Sequence, residues 1–418
     1  MTLANPLLTR AISAHQAGRL KEAAAGYKSV LRKRPNDPDA LHFFGLLRFQ
    51  RGEGFEAVKL VMQSLAQAPG NPHAWNNLGN ILIAQDKIPE AKEAYRRVTL
   101  LAPTMAEVWF NLAICLRDEG EFETAVQHFR TAIQHRPDYV RAYEHLGKLL
   151  YRTGDFTGAG EAYAKWLALE PDNPVARHMV AATTGIGVPE RAGDEYVAKV
   201  FDRFADSFDH NLKHLGYRAP ELVASALAHW TSRRDAAEPV VPLASAATLD
   251  ILDAGCGTGL CAPLLNPLAH ALVGVDLSAK MIEHARARGG YQELVVAELV
   301  GFMQSRQDCF DAVISADTLV YFGPLDQACR SAHHALRPGG LFIYTVEALP
   351  VDSSQDHVLN VHGRYAHGEP YVHRTLLEAG FEVLEIRREV LRMERLQEVI
   401  GLLVVARATP ASHPRSQQ

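Results

Sequence analysis

The sequence predicts two domains of different class, an all-helical array over residues 4–171 and an α/β domain with a mostly parallel sheet over 196–408. Three observations carry this. Small and aromatic residues recur every 34 positions through the first 171 residues, a glycine-rich turn follows a short apolar strand at 249–253, and an acidic residue closes the next strand at Asp276. At 418 residues the chain has room for two or three ordinary domains.

Composition narrows the class before any motif is read. With 47% hydrophobic and 22% charged residues the chain is globular, and a net charge of −5 lacks the basic face that duplex nucleic acid demands. The first 180 residues hold 22 Lys and Arg against 19 Asp and Glu, and the remainder 21 against 29, so the second part is the acidic one. Five cysteines with no CxxC pair point to neither a disulfide framework nor a zinc site; a reducing, cytoplasmic setting is the expectation, with no metal. The N-terminus lacks a basic-then-apolar leader. The uncharged run Ala254–Val275 contains four glycines and two prolines, which fit loop, helix and strand better than a membrane span.

The repeats are plain by eye. Pro35, Pro69, Pro103, Pro137 and Pro171 stand 34 apart, as do Ala23, Ala57, Ala91, Ala125 and Ala159. The same step joins Tyr27, Val61, Tyr95, Phe129 and Tyr163; Ala11, Gly45, Gly79, Ala113 and Gly147; and Leu7, Leu41, Trp75, Trp109 and Tyr143. Small residues let paired helices cross closely, aromatics fill the gaps, and proline stops the second helix. Turns fall near Gly18, Gly52, Asp86, Gly120 and Gly154, where a helix end needs left-handed backbone.

These five columns resemble the tetratricopeptide repeat. The resemblance implies an all-α solenoid whose first helices line a groove for a protein or peptide partner. That groove receives Asn76, Asn77, Asn80 and Asn111, whose amides can pair with a peptide backbone, and Arg117, Arg141 and Lys148, which favour acidic ligands. A merely solvated helix face is the alternative for these polar residues.

Residues 172–195 lose the register and carry Gly185, Gly187 and Pro189, so a linker is expected there. A helical cover follows over 196–230, then a loose segment near 231–248; residues 409–418 are expected to be a disordered tail.

In the second domain, LDAGCGTGL places Gly255, Gly257 and Gly259 directly after the first strand. A dinucleotide fingerprint would space its glycines GxGxxG, so GxGxG points away from a pyrophosphate. Asp276, 19 residues beyond Gly257, can accept both ribose hydroxyls of an adenosine. With VGVDLSAKMIEHA, VVAEL (295–299), FDAVISADTLVYF (310–322) and LRPGGLFIYTVE (336–347) following in order, the array resembles class I S-adenosylmethionine-dependent methyltransferases of the type 11/12 kind.

The resemblance implies a Rossmann-like, seven-stranded, mostly parallel sheet and S-adenosylmethionine as cofactor. Glycine amides would approach the methionyl end, with Asp253 orienting its ammonium. Asp276 would hold the ribose, Leu277, Met281 and Leu299 would border the adenine, and Glu298, where the family more often has Asp, would accept from the exocyclic amine. Asp317 would lie beside the sulfonium, and Tyr217 with Arg218 would fold over as a lid. For the acceptor, the strand ends direct attention to Tyr321 and to the 351–381 insertion, with His362 and His367 as base candidates and Arg364 as an anchor for a carboxylate or phosphate. SADT stands where DNA amino-methylating enzymes carry an NPPY-like tetrapeptide.

The function expected is methyl transfer, with the repeats recruiting a protein or peptide substrate or partner. Alternatives are an adaptor with a cofactor-sensing or inactive fold, a small-molecule methyltransferase docked by its repeats, and, as a minor contender, a nicotinamide-dependent oxidoreductase.

Overall fold

The computed structural model of the protein describes residues 5–234 and 248–410, and the chain divides into two compact units, Met1–Leu169 and Glu170–Gln418. The described part of the first unit is helical throughout: α1 Pro6–Gln16, α2 Leu20–Lys33, α3 Pro38–Gln50, α4 Gly54–Gln67, α5 Pro72–Ile83, α6 Ile88–Leu101, α7 Ala106–Asp118, α8 Phe122–His135, α9 Val140–Thr153 and α10 Phe156–Leu169. Each odd-numbered helix packs on the even one that follows it, and each even one on the next odd one.

The columns of the sequence explain this stacking. Ala23, Ala57, Ala91, Ala125 and Ala159 are fully buried at the helix crossings. A Cβ added to Gly79 would lie 2.4 Å from the Tyr95 ring, and one on Gly147 would lie 2.5 Å from the Tyr163 ring, so the aromatic column occupies the space that the glycines vacate. Trp75, Trp109 and Tyr143 donate to the carbonyls of Pro69, Pro103 and Pro137, at 2.8, 2.7 and 3.2 Å. That bond ties each first helix back to the proline ending the repeat before it. The five turn positions all have positive φ, from +59° at Asp86 to +89° at Gly154.

The second unit opens with α11 Pro174–Thr184, α12 Asp194–Phe204, a 3-10 turn at Ala205–Ser207, α13 Phe208–His214 and α14 Ala219–Arg234. The linker expected over 172–195 therefore contains a helix. Arg177, one 34-residue step beyond Tyr143, donates to the Pro171 carbonyl at 2.9 Å just as the aromatics do. A polar residue in an aromatic column hid this continuation. Most of the loose segment and of the tail, residues 235–247 and 411–418, lies outside the described residues.

The remainder alternates strand and helix: β1 Leu249–Ala254, α15 Ala262–Leu265, β2 Ala269–Asp276, α16 Ala279–Arg288, β3 Glu293–Val296, α17 Leu299–Gln304, β4 Phe310–Ser315, α18 Asp326–Ala335 and β5 Leu336–Ala348. The insertion supplies β6 His357–Leu359, β7 Tyr365–His367 and α19 Glu369–Glu378, and the long hairpin β8 Phe381–Glu394 with β9 Gln397–Ala408 closes the fold. Seven strands run β3-β2-β1-β4-β5-β9-β8, with β9 antiparallel to β5 and to β8; β7 pairs with the end of β5 and carries β6 beside it. The expected seven strands are thus joined by two short ones from the insertion.

Alternation along the strands builds a core on each face. Leu252, Val313, Phe342 and Val404 meet α17, α18 and α19, while Ile251, Ile314, Ile343 and Val405 meet α14 and α15. Strand order reverses at β1, between β2 and β4, and a crevice opens outside the carboxyl ends of the strands at such a point.

Candidate functional site

A cavity occupies that crevice. One wall is the turn after β1, where Gly255, Gly257 and Gly259 have φ of +84°, +53° and +83°. A side chain at Gly255 would meet Thr318 Oγ1 at 2.1 Å, so the turn and the segment after β4 approach within main-chain reach. Gly257 faces the cavity, whereas Gly259 turns toward α16, with Ala285 Cα 3.3 Å from where its Cβ would be.

Asp276 at the end of β2 also lines the cavity. Its Oδ2 accepts the Gly257 N–H at 2.9 Å and its Oδ1 accepts the Ser278 N–H at 2.8 Å, leaving each oxygen further lone-pair capacity. Burial raises its pKa and the backbone donors pull it back, with a net upward shift. Leu277, Leu299 and Leu260 supply apolar wall beside it, and Glu298 lines the same region. The Glu298 carboxylate caps α17, accepting from Val300 N at 3.0 Å and Gly301 N at 2.7 Å.

The roof comes from the helical cover. Phe201, Phe208, Leu212, Leu215 and Tyr217 line the cavity, and Phe201 meets the Tyr321 ring edge-on at 5.6 Å. Two carboxylates pin the cover down. Asp202 accepts the Ser278 hydroxyl at 2.6 Å, and Asp209 accepts the Thr258 hydroxyl while pairing with Arg288.

The far end is a charged network that runs across four segments. Asp317, directly after β4, has φ +59°; its Oδ2 takes Arg392 Nη1 at 2.6 Å, and its buried Oδ1 has no partner among the described residues. Arg392 on β8 also donates through Nε to Glu394 at 2.7 Å and through Nη2 to Glu347 on β5. Arg364 joins the same carboxylates, Glu347 at 2.7 Å and Glu394 at 2.5 Å, and His362 Nε2 lies 3.2 Å from Glu347. Burial pushes the Asp317 carboxyl up although Arg392 opposes it. At Glu347 burial is outweighed by His362, Arg364 and Arg392, which hold its carboxyl well below the usual range. Burial pushes Tyr321 up to about 12.

Of the residues expected from the sequence, the structure brings Gly255, Gly257, Asp276, Leu277, Glu298, Leu299, Tyr217, Asp317, Tyr321 and Arg364 to one cavity. Six lie elsewhere among the described residues: Gly259, as above, and five more. Asp253 points to the opposite sheet face, fully buried, where it accepts from Tyr291 Oη at 2.6 Å; burial pushes it up to about 7. Met281 is core. Arg218 leans on β8, 3.7 Å from Glu389, so only its neighbour Tyr217 belongs to the roof. His362 sits behind Glu347. His367 is fully buried, and its Nε2–H donates to the carbonyls of Phe322 and Gly323, both at 2.9 Å; burial lowers it to about 4. It is a strut of the fold and cannot reach the cavity as a base. The anchor role expected of Arg364 is also changed, because its guanidinium already serves two carboxylates. Sequence reasoning missed Arg392 and Glu394, which nothing marks out in a strand that also carries Glu382, Glu385, Arg387, Arg388 and Glu389.

In the repeat unit the groove amides bond largely to their neighbours. Asn111 Nδ2 donates to Asn76 and Asn80 Oδ1, both at 3.2 Å, Tyr95 Oη donates to Asn80 at 2.8 Å, and Asn77 meets His42 at 2.9 Å. Arg117 pairs with Asp118 and His145, Lys148 with Glu144 at 2.6 Å, and the Arg141 guanidinium lies over the Phe110 ring at 4.8 Å.

Comparison with known proteins adds the family. Residues 252–344, which hold the glycine turn, Asp276, Glu298 and Asp317, match the family profile described as a methyltransferase domain, and residues 8–72, 76–134 and 116–174 match the tetratricopeptide repeat. The chain joins tetratricopeptide repeats to a methyltransferase domain. Methyltransferase-like protein 27 of Homo sapiens is 34% identical over 174 residues, covering 41% of this chain and 64% of that protein. The mitochondrial ubiquinone biosynthesis O-methyltransferase of Rattus norvegicus is 31% identical over 117 residues (26% of this chain, 33% of that protein). The malonyl-[acyl-carrier protein] O-methyltransferase of Pseudescherichia vulneris is 28% identical over 152 residues (36% and 53%). The chain therefore spans less than two thirds of each of these relatives. Among solved structures, MamA from Desulfovibrio magneticus RS-1 is 22% identical with a TM-score of 0.37, covering 40% of this chain and 94% of that one. An S-adenosylmethionine dependent methyltransferase from Mesorhizobium loti is 25% identical with a TM-score of 0.33, covering 44% and 99%. Among the described residues no helix of the methyltransferase or repeat unit is long and apolar enough to cross a membrane.

Proposed function

We propose that the methyltransferase domain uses S-adenosylmethionine, and that the repeats engage a protein or peptide which either carries the methyl acceptor or docks the enzyme. The observation that carries the first part is the pairing of a left-handed glycine turn with a carboxylate already fixed by that turn's own amide: Gly257 N–H on Asp276 Oδ2. The cavity residues fit an adenosyl sulfonium. Main chain at Gly255 and Gly257 would lie against its methionyl end, Asp276 would hold the ribose hydroxyls, Leu277 and Leu299 would border the base, and Glu298 would accept from its amine through whatever lone pairs its cap leaves.

When bound, the donor supplies an electrophilic methyl group on a sulfonium. The chain's own residues bind, orient and exclude water. Phe201, Phe208 and Tyr217 roof the cavity, and Tyr321 and Asp317 line its far end, with Asp317 Oδ1 buried and unpartnered among the described residues. Two of the relatives are named as O-methyltransferases, which supports transfer to an oxygen or similar nucleophile. The peptide reading of the repeats rests on the ladder of side-chain amides at Asn76, Asn80 and Asn111.

The test is transfer of a labelled methyl group from S-adenosylmethionine into a cell extract. The intact chain is expected to label a discrete polypeptide, and an Asn76→Ala, Asn111→Ala variant to label it at least tenfold less. Cofactor binding with no labelled product would favour the adaptor. Label confined to small molecules, unaffected by the double variant, would favour a small-molecule enzyme that the repeats dock.

A further inference from the structure

The charge at the far end of the cavity defines what kind of acceptor can enter. Three arginines line the cavity, Arg191, Arg364 and Arg392, against four carboxylates, Asp276, Glu298, Asp317 and Glu394, and no lysine or histidine is among the described lining residues. None of these arginines is spare. Arg191 pairs with Asp194 at 2.5 Å, Arg364 is spread over Glu347 and Glu394, and Arg392 has Nε, Nη1 and Nη2 on three separate carboxylates.

Counting the network alone, two guanidinium groups face three carboxylates, Asp317, Glu347 and Glu394. His362 offers no spare donor either, because its Nδ1 accepts the Arg364 backbone N–H at 3.3 Å and its Nε2 lies 3.2 Å from Glu347. An incoming carboxylate or phosphate would be stripped of water beside a surplus negative charge and would find no unshared cation. Against this, Asp317 lines the cavity, and its buried Oδ1 has no partner among the described residues, in a backbone conformation that non-glycine residues seldom adopt.

We propose that the acceptor is a neutral or cationic group, a hydroxyl or an amine, whose O–H or N–H is received by Asp317 Oδ1, and that the Arg392–Glu347–Arg364–Glu394 network excludes carboxylate and phosphate acceptors. The inference rests on the methyl-transfer reading above and narrows it. It also separates this chain from a carboxyl-methylating activity, which would need a free guanidinium where the structure has a neutralised one.

Mild alkali hydrolyses the methyl esters of carboxylic acids to methanol and leaves methyl ethers and methylamines intact, so the product of the labelling reaction separates a carboxylate acceptor from a hydroxyl or amine without its being identified. Less than a tenth of the label is expected to become volatile after alkali. Release of half or more as labelled methanol overturns the proposal while leaving methyl transfer itself standing, whereas a chain that binds the donor and labels nothing overturns methyl transfer and this inference with it. Asp317→Asn supplies the second arm, since asparagine tolerates positive φ. Its unfolding is expected to stay cooperative and its affinity for S-adenosylhomocysteine, which carries no sulfonium, to stay within threefold of the parent while alkali-stable labelling falls at least tenfold. Unchanged labelling by this variant removes Asp317 from acceptor recognition.

Discussion

The two ends of the cavity are built by opposite strategies. At the glycine end, the turn after β1 and the carboxylate closing β2 stand at the ends of two adjacent parallel strands, and the hydrogen bond from the Gly257 N–H to the Asp276 carboxylate joins them directly. At the charged end, Asp317, Glu347, Arg364, Arg392 and Glu394 come from the segment after β4, from β5, from the turn before β7 and from β8, and side-chain contacts join them. Parallel-strand geometry makes the first end repeatable from one such fold to another. The second depends on side chains from four separate segments meeting, and we place acceptor choice there.

If the charged end depends on mutual pairing, its keystone should be the most damaging residue to remove. Arg392→Met would leave Asp317, Glu347 and Glu394 buried with one fewer cation among them, and is expected to cost about 3–5 kcal/mol in denaturant unfolding. A loss below 1 kcal/mol would show that the carboxylates are solvated or protonated instead. At the glycine end the corresponding change is steric. Gly255→Ala, with φ +84° and a Cβ overlapping Thr318, is expected to cost about 1–3 kcal/mol and to weaken cofactor binding more than it weakens folding.

Asp253 gives the smallest and most specific contrast. It lies behind the glycine end with Oδ1 unpartnered among the described residues, and burial raises it from 3.8 to about 7. A carboxyl raised on folding stabilises the folded state while protonated, so its contribution is complete below about pH 4 and is lost as pH climbs through about 7. The parent protein should lose stability between about pH 4 and 7 relative to Asp253→Asn, which stays neutral throughout. Parallel melting curves of the two proteins across that range would contradict the assignment.

The same contrast explains what could be read from the chain. Repeat architecture, both turn geometries and the carboxylate closing β2 were legible because each depends on a local requirement: left-handed backbone at Gly154 or Gly255, a missing Cβ at Gly79 under Tyr95, an acid at a strand end. The continuation into α11 was hidden because Arg177 makes with its guanidinium the bond that tryptophan makes elsewhere. His367 drew attention as a base, yet its place on β7 beside β5 buries it against two carbonyls. Arg392 and Glu394 could not be found at all, since nothing in a strand's sequence says which distant carboxylates its charged face will meet.

The central claim is that Asp276 and the glycine turn grip an adenosyl group. Calorimetric titration of S-adenosylhomocysteine into the intact chain and into Asp276→Ala tests it most directly. The account predicts saturable one-to-one binding by the parent and a loss of about 2–4 kcal/mol in the variant; equal affinity in both, or no binding to the parent, would contradict it.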